Sequence, residues 1–468
     1  EVPSQVSHLS KLVSLDLSSW IYAQKIDKHA LEGLVHNLTE VRHLFLDGIN
    51  MSSINAHVFM NLSSSLRSLS LAGCELQGKF PKYIFDLPNL NLLNLGGNQN
   101  LNLDPLKFNR SSNLEHLDLP YVSFSTEFID SVDNLQALKY LDLSGNSLFQ
   151  GLSVSITNLS SLEQLIISGA NFFGGLPDSM GNLVSLKFLV LSDSNLSGPL
   201  PRSLGNLLQL THLDLSLNKL NGQIPLSILN LTQLEYLEIF ENSLEGSIPD
   251  EVTAFPNLIY LYLSDNLLNG TLPSWLYTAP SLKDVDLSQN QFSGPVPRSL
   301  GSLLQLTQLN LWHNQLSGQI PLSILNLTQL EYLGISKNSL EGSIPDEVTA
   351  FPNLKYLMLS DNLLNGTLPS WLYTAPSLED IDLSQNQFSG HIKEFQSKSL
   401  ELITLENNKL QGPLPSSVFQ LLNLIHLVLS SNNLSGVIEL SMFSNLPNLK
   451  LLDLSYNSLS LTSNTTST

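Results

Sequence analysis

The sequence predicts an α/β-type solenoid with one long parallel β-sheet on its concave face. Three observations lead there. First, the pattern L-x-x-L-x-L-x-x-N-x-L recurs along the whole 468-residue chain. Its first apolar residue falls at 12, 41, 66, 90, 114, 138, 162, 186, 210, 234, 258, 282, 306, 330, 354, 378, 400, 424 and 449, giving 19 units spaced mostly by 24 residues. Second, each unit holds a short two-residue alternation, as in Leu258-Ile259-Tyr260-Leu261-Tyr262-Leu263. Third, a unit of this size cannot bury its own Leu side chains, so each must stack on its neighbours.

Each element of the unit has a physical reason. In the alternating segment Leu261 and Leu263 point inward while Tyr260 and Tyr262 point outward, as a strand requires. At a strand spacing of about 4.8 Å, 18 steps give an inner arc of roughly 85 Å. The Asn that follows, such as Asn266, can hydrogen-bond the turning backbone of its own and the neighbouring coil. Asn fills 13 of the 19 positions, for example Asn218, Asn314 and Asn432; Trp20, Ile49, Cys74, Val122, Ala170 and Ser194 fill the rest. Cys74, the single Cys of the chain, therefore reads as a small buried hydrophobe rather than a reactive thiol. After the Asn many units continue L-x-G-x-I/L/V-P, as in Leu220-Asn221-Gly222-Gln223-Ile224-Pro225 and Leu244-Glu245-Gly246-Ser247-Ile248-Pro249. Here the Gly allows a backbone angle other residues avoid, and the Pro is expected at the end of an edge strand, where its missing N–H costs nothing. Expected organisation is one solenoid over residues 1–461, followed by a disordered tail, 462–468.

These residues resemble the leucine-rich repeat, in its plant extracellular subtype. Residues 2–18, with Asn37-Leu38-Thr39 and Leu46-Asp47-Gly48-Ile49-Asn50-Met51-Ser52, resemble early repeats of plant receptor-like proteins of the Cf resistance class. Residues 397–440 resemble later repeats of that class, so the likeness spans essentially the whole chain. The resemblance implies a horseshoe twisted into a superhelix by a second strand on one flank. It also implies a cell-surface immune or developmental receptor with Cys-paired caps, one membrane helix and a short tail. The chain has no such caps, membrane helix or signal peptide, and is expected to be a fragment whose parent is anchored at the extracellular side of the plasma membrane.

Composition excludes several functions. Acidic residues outnumber basic ones 41 to 21, against a backbone-tracking nucleic-acid binder. No apolar run is long enough to span a bilayer, so no direct membrane insertion is expected. The ten His show no metal spacing, and no nucleotide-binding or nucleophile motif appears. No enzyme activity, cofactor or metal is expected. Only 13% of residues are charged, because the repeat fixes Leu, Asn, Ser, Gly and Pro at most positions.

Residues 198–293 repeat as 294–389, with 15 differences over 96 positions. Ten fall among the 20 positions read as outward on the strands, the second, third, fifth, seventh and eighth of each motif. They include Ser216/Trp312, Leu217/His313, Glu238/Gly334, Phe240/Ser336, Glu241/Lys337, Ile259/Lys355, Tyr262/Met358 and Lys283/Glu379. Exposed positions tolerate change, but the segment 250–254 is also exposed and recurs unchanged at 346–350. A diversified binding face follows, and its candidate residues are Tyr236, Glu238, Phe240, Glu241, Tyr260, Tyr262, Trp312, His313, Lys337 and Lys355. Tyr and Trp are the side chains that anchor interfaces. Glu235, Glu238 and Glu241 favour a basic or amine-bearing ligand at the start of this stretch. The alternative for Tyr236, Tyr260, Tyr332 and Tyr356, all at the third position, is a purely structural ladder. Expected partners are an extracellular peptide, protein or glycan and a co-receptor kinase; the resemblance leaves a receptor-kinase ectodomain or an inhibitor of pectin-degrading enzymes as alternatives. Twelve Asn-x-Ser/Thr sequons occur, at Asn37, Asn50, Asn61, Asn109, Asn158, Asn195, Asn230, Asn269, Asn326, Asn365, Asn433 and Asn464. All but Asn464 are expected glycosylation sites, although the Asn and Ser/Thr content alone supplies about eight by chance.

Overall fold

A computed structural model describes residues 2–19, 24–103, 108, 112–146, 151–251, 254–347 and 351–463. The chain forms two compact units, Glu1–Leu234 and Glu235–Thr468. In the first, nine three-residue strands, from Ser14–Asp16 to His212–Asp214, pair in parallel in chain order. In the second, ten strands from Tyr236–Glu238 to Leu451–Asp453 do the same. Every one of these strands occupies the third to fifth residues of a motif read from the sequence. Register follows the repeat: Tyr260 pairs with Asp284, 24 residues on, and where the repeat shortens or lengthens the pairing follows, Asp380 with Leu402 and His426 with Leu451.

Between the first and last strands, where Leu15 is half-buried and Leu452 exposed, the middle residue of the strand faces the core. Leu237, Leu261, Leu309, Leu333 and Leu357 are all buried, each contributing about 2 kcal/mol through removal from water. Behind them runs the Asn ladder. Nδ2 of Asn266 donates to the carbonyl oxygens of Ile239, Leu263 and Ser264, and its Oδ1 accepts from the Leu244 N–H. Asn290, Asn314, Asn338, Asn362 and Asn386 repeat the pattern. Where Asn is replaced, smaller donors do part of the same task. Ser194 Oγ bonds the Ile167 carbonyl at 2.8 Å, and Cys74 Sγ the Leu46 carbonyl at 3.1 Å.

The L-x-G-x-I/L/V-P segment forms a second parallel sheet. In the second unit it has ten strands, from Ser243–Ser247 to Ser458–Thr462. In the first unit the Gln77–Lys79 and Asn100–Asn102 pair and the Ser197–Pro199 and Lys219–Gln223 pair appear. Gly222 and Gly246 in these strands have φ of 71° and 77°, a region open to Gly. The Pro lies elsewhere than expected. Pro225 and Pro321 stand beyond the strand as N-caps of the 3₁₀ helices Leu226–Asn230 and Leu322–Asn326, with φ of −70°. These strands are paired on both sides within the stack, so there is no edge for Pro to occupy. The helix start instead provides a place where an N–H is unsatisfied anyway.

The 3₁₀ layer packs tightly. A Cβ on Gly205 would lie 2.2 Å from the Ser227 carbonyl oxygen, and one on Gly301 2.3 Å from that of Ser323. Each coil thus seats directly on the next. Leu461 and Thr462 belong to the last second-sheet strand, opposite Ile438 and Glu439; residues 464–468 of the expected tail lie outside the described residues.

Candidate functional site

Strand register lines the outward side chains of the second unit into rows. The third-position row runs Tyr236, Tyr260, Asp284, Gln308, Tyr332, Tyr356 and Asp380. Beside it, the fifth-position row runs Glu238, Tyr262, Asp286, Asn310, Gly334, Met358 and Asp382. Neighbours in a row stand on adjacent strands about 4.8 Å apart, so these short strands bring together residues 24 apart in sequence.

The seventh position, read from the sequence as outward, is mostly buried. Ser264, Ser288, Ser336, Ser360 and Ser384 are all buried there. Their hydroxyls find partners within the sheet, Ser288 on Asp286 and Ser384 on Asp382, each at 2.6 Å. Phe240 and Trp312 occupy this position and are half-buried rather than fully exposed. Without the seventh position, 16 outward positions of the duplication remain, and 8 of them differ.

The eighth position is the feature that the sequence reading missed. All ten eighth residues of the second unit adopt a left-handed conformation, with φ between 50° and 55°: Glu241, Asp265, Gln289, His313, Lys337, Asp361, Gln385, Asn407, Ser431 and Tyr456. None is Gly. In the first unit the same position is Gly48, Gly73, Gly97, Gly145 and Gly169, beside Tyr121, Asp193 and Leu217. A non-Gly residue in this conformation costs on the order of 1 kcal/mol. The signal was present in the sequence, as five glycines in one motif column.

The aromatic residues divide into two groups. Tyr236 stacks on Tyr260 with centroids 4.6 Å apart, and Tyr260 meets Tyr262 at 6.3 Å. Tyr262 OH donates to Asp284 Oδ2 at 2.9 Å. Burial first, then this bond and the nearby carboxylates, push the Tyr262 phenol well above its usual range. In the duplicate, Tyr332 and Tyr356 are tilted at 6.3 Å instead of stacked. The reason is Gly334: a Cβ there would lie 2.7 Å from the Tyr332 ring, which covers the place that Glu238 fills in the first copy. Tyr356 OH donates to Glu379. The ladder geometry is therefore real for Tyr236 and Tyr260 and partial for Tyr332 and Tyr356.

Both lysines of the candidate set have partners. Lys337 Nζ lies 5.1 Å from the Trp312 ring centroid, and Trp312 meets His313 edge-on at 5.4 Å. Lys355 pairs with Glu331 at 2.7 Å. Among the described residues no group of three or more His, Cys, Asp or Glu is placed to hold a metal ion, and no helix is long and apolar enough to cross a membrane.

In the first unit, Asp118 and Asp142 stand opposite each other on adjacent strands. Burial, then the charges of Asp142 and Asp47, push the Asp118 carboxyl up to about 7; burial raises Asp142 as well. Cys74 is buried, and desolvation pushes its thiol up to about 12. Eight sequon asparagines, Asn37, Asn61, Asn158, Asn230, Asn269, Asn326, Asn365 and Asn433, are exposed. Asn50 and Asn195 are half-buried and hydrogen-bonded through Nδ2; Asn109 lies outside the described residues.

Comparisons with known proteins agree with this architecture. The Leucine-rich repeat region family model matches residues 99–315, and the Leucine rich repeat model matches 328–388 and 398–459. Receptor-like protein Cf-9 of Solanum pimpinellifolium is 34% identical over 139 residues, which is 29% of this chain and 16% of that protein. Receptor-like protein 6 of Arabidopsis thaliana is 37% identical over 140 residues, 29% of this chain and 14% of that protein. The matched stretch thus spans about a sixth of the length of these curated relatives. The solved structure of the plant peptide hormone receptor RGFR1 in complex with RGF2 is 31% identical, covers 98% of this chain and 73% of its own, and has a TM-score of 0.85. The Arabidopsis receptor kinase HAESA, solved with the peptide hormone IDA and the co-receptor SERK1, is 30% identical, covers 98% and 84%, and has a TM-score of 0.78. By its repeat, its two sheets and these relatives, the chain belongs to the plant extracellular leucine-rich-repeat receptor-like proteins.

Proposed function

We propose that the chain is a ligand-recognition part of a plant cell-surface receptor ectodomain, and that the strand face of its second unit takes an extended peptide. One observation carries the reading. Of the 16 outward positions of the duplicated repeats 8 differ, against 7 of the other 80, two of these at the seventh position (Ser216/Trp312 and Phe240/Ser336). A rigid parallel sheet that varies chiefly its outward side chains suits recognition of an extended chain. The complexes of RGFR1 with RGF2 and of HAESA with IDA support a peptide as ligand and, for HAESA, a co-receptor as second partner. Likeness to Cf-9 favours disease resistance over a developmental role, with the parent protein at the extracellular side of the plasma membrane. The HAESA match favours, as a second reading, the ectodomain of a receptor kinase.

The eight exposed sequon residues stand in helices, at helix ends or in second-sheet strands. Glycans there leave the strand face open. The test is selection of displayed random 12-residue peptides on the full chain. Binding of the selected peptides should fall at least about 100-fold when Phe240, Tyr262 and Trp312 are all changed to Ala, with the melting temperature little changed. Undiminished binding by that variant would overturn the assignment of the face.

A further inference from the structure

The two copies of the duplication differ in charge as well as shape. In the first, Tyr236, Tyr260 and Tyr262 form a run of three contacting rings. Glu238 stands in register with Tyr262, and Asp284 accepts the Tyr262 hydroxyl. Burial first, and then neighbouring groups with the Glu238 carboxylate among them, raise the phenols of both Tyr236 and Tyr262. Glu235 stands beside Ile259, which offers it no counter-charge.

The second copy keeps Tyr332, Tyr356 and Asp380 in the places of Tyr236, Tyr260 and Asp284. It puts Glu379 for Lys283, as acceptor of the Tyr356 hydroxyl, and changes the other parts on the same scaffold. Gly334 stands for Glu238 and Met358 for Tyr262, and Tyr332 lies down over the Gly. Lys355 stands for Ile259 and neutralises Glu331. Lys337, in place of Glu241, sits over Trp312 and so fills with an internal cation the aromatic face that Ser216 does not provide in the first copy. Thus the chain shows, at one site, how this sheet binds a cation to an aromatic ring. At the other site it holds three rings beside two carboxylates, with the exposed Lys283 in the neighbouring row beside Asp284.

We propose that the Tyr236–Tyr260–Tyr262 cluster with Glu238 and Asp284 is a subsite for a cationic group of the ligand, a guanidinium or ammonium. The duplicate copy is its inactive counterpart. Aromatic faces attract a cation through the ring quadrupole, and adjacent carboxylates add charge–charge attraction on a partly desolvated surface. This inference rests on the reading of the strand face as a peptide site.

The experiment uses the full chain and the displayed random 12-residue peptides. Selected peptides should share an Arg or Lys at one register position. Replacing that residue by citrulline, which keeps the shape and removes the charge, should weaken binding about tenfold. The double variant Glu238→Gly, Tyr262→Met carries residues that the duplicate tolerates at the equivalent places. Whatever it does to both peptides together, it should bring the ratio of Arg-peptide to citrulline-peptide affinity from about tenfold down towards one. A citrulline peptide that binds as well as its Arg parent, or an Arg/citrulline ratio unchanged in the double variant, overturns the subsite. Peptides that bind through Trp312, as shown by loss in Trp312→Ser, but without charge preference defeat the subsite alone. Selected peptides indifferent to both variants defeat the strand-face reading itself.

Discussion

Asn266 shows how one side chain holds two coils. Its Nδ2 donates to three carbonyls, each of which also accepts from another donor (Asn242 Nδ2, Asn290 Nδ2 and the Glu241 N–H), and its Oδ1 satisfies the buried Leu244 N–H. Removing it takes this partner from the buried Leu244 N–H and one donor from each carbonyl, at about 1–3 kcal/mol. Asn266→Ala should therefore destabilise the second unit by that amount in urea titration, whereas an exposed Asn such as Asn269 should change stability by less than about 0.5 kcal/mol. Cys74 holds the equivalent place with a thiol raised to about 12 and no exposure. It should resist thiol alkylation in the native protein and react once unfolded; rapid native labelling would show that the site opens. This level was well read from sequence, because the Asn column repeats too regularly to be anything but structural. The left-handed eighth residues were not read. Their conformation is imposed by the turn into the Asn ladder and is visible in sequence only through the glycines of the first unit.

Among the strands and helices, adjacency across the sheet decides chemistry that no single repeat shows. Asp118 and Asp142 belong to separate repeats, yet stand in register; burial first, then the charges of Asp142 and Asp47, raise the Asp118 carboxyl from 3.8 to about 7. Between those values the folded carboxyl holds a proton that the unfolded one has released. Stability should thus fall as the pH rises from about 4 to about 7, and level off above, by the linkage of proton binding to folding. Asp118→Asn should flatten this slope and raise the urea midpoint above pH 7; an unchanged profile would place the titration elsewhere. Helix stacking has a sharper limit. Gly205→Ala must displace the Ser227 carbonyl, which lies 2.2 Å from the new Cβ, and should cost about 1–3 kcal/mol. The sequence located both sheets, but it misplaced the Pro because it treated the second strand as an edge. It also counted the seventh position as outward because an alternating pattern carries no sign of where the strand stops.

For the molecule as a whole, the repeat explains both the stability and the recognition surface. Fixed Leu, Asn and Gly build two stacked parallel arrays, and the outward positions are free to vary. Copying four repeats doubled a piece of that surface, and the copies differ on it: one has three contacting rings beside Glu238 and Asp284, and the other has Lys337 over Trp312 and Lys355 paired with Glu331. The central claim, that a peptide lies on the strand face of the second unit, is tested most directly by photo-crosslinking. A photoreactive residue is placed singly at Met358, on the strand face, and at Leu322, exposed on the 3₁₀ layer. With a peptide selected on the native chain, the account predicts adducts from position 358 and none from 322. Adducts from 322 with none from 358 would contradict it.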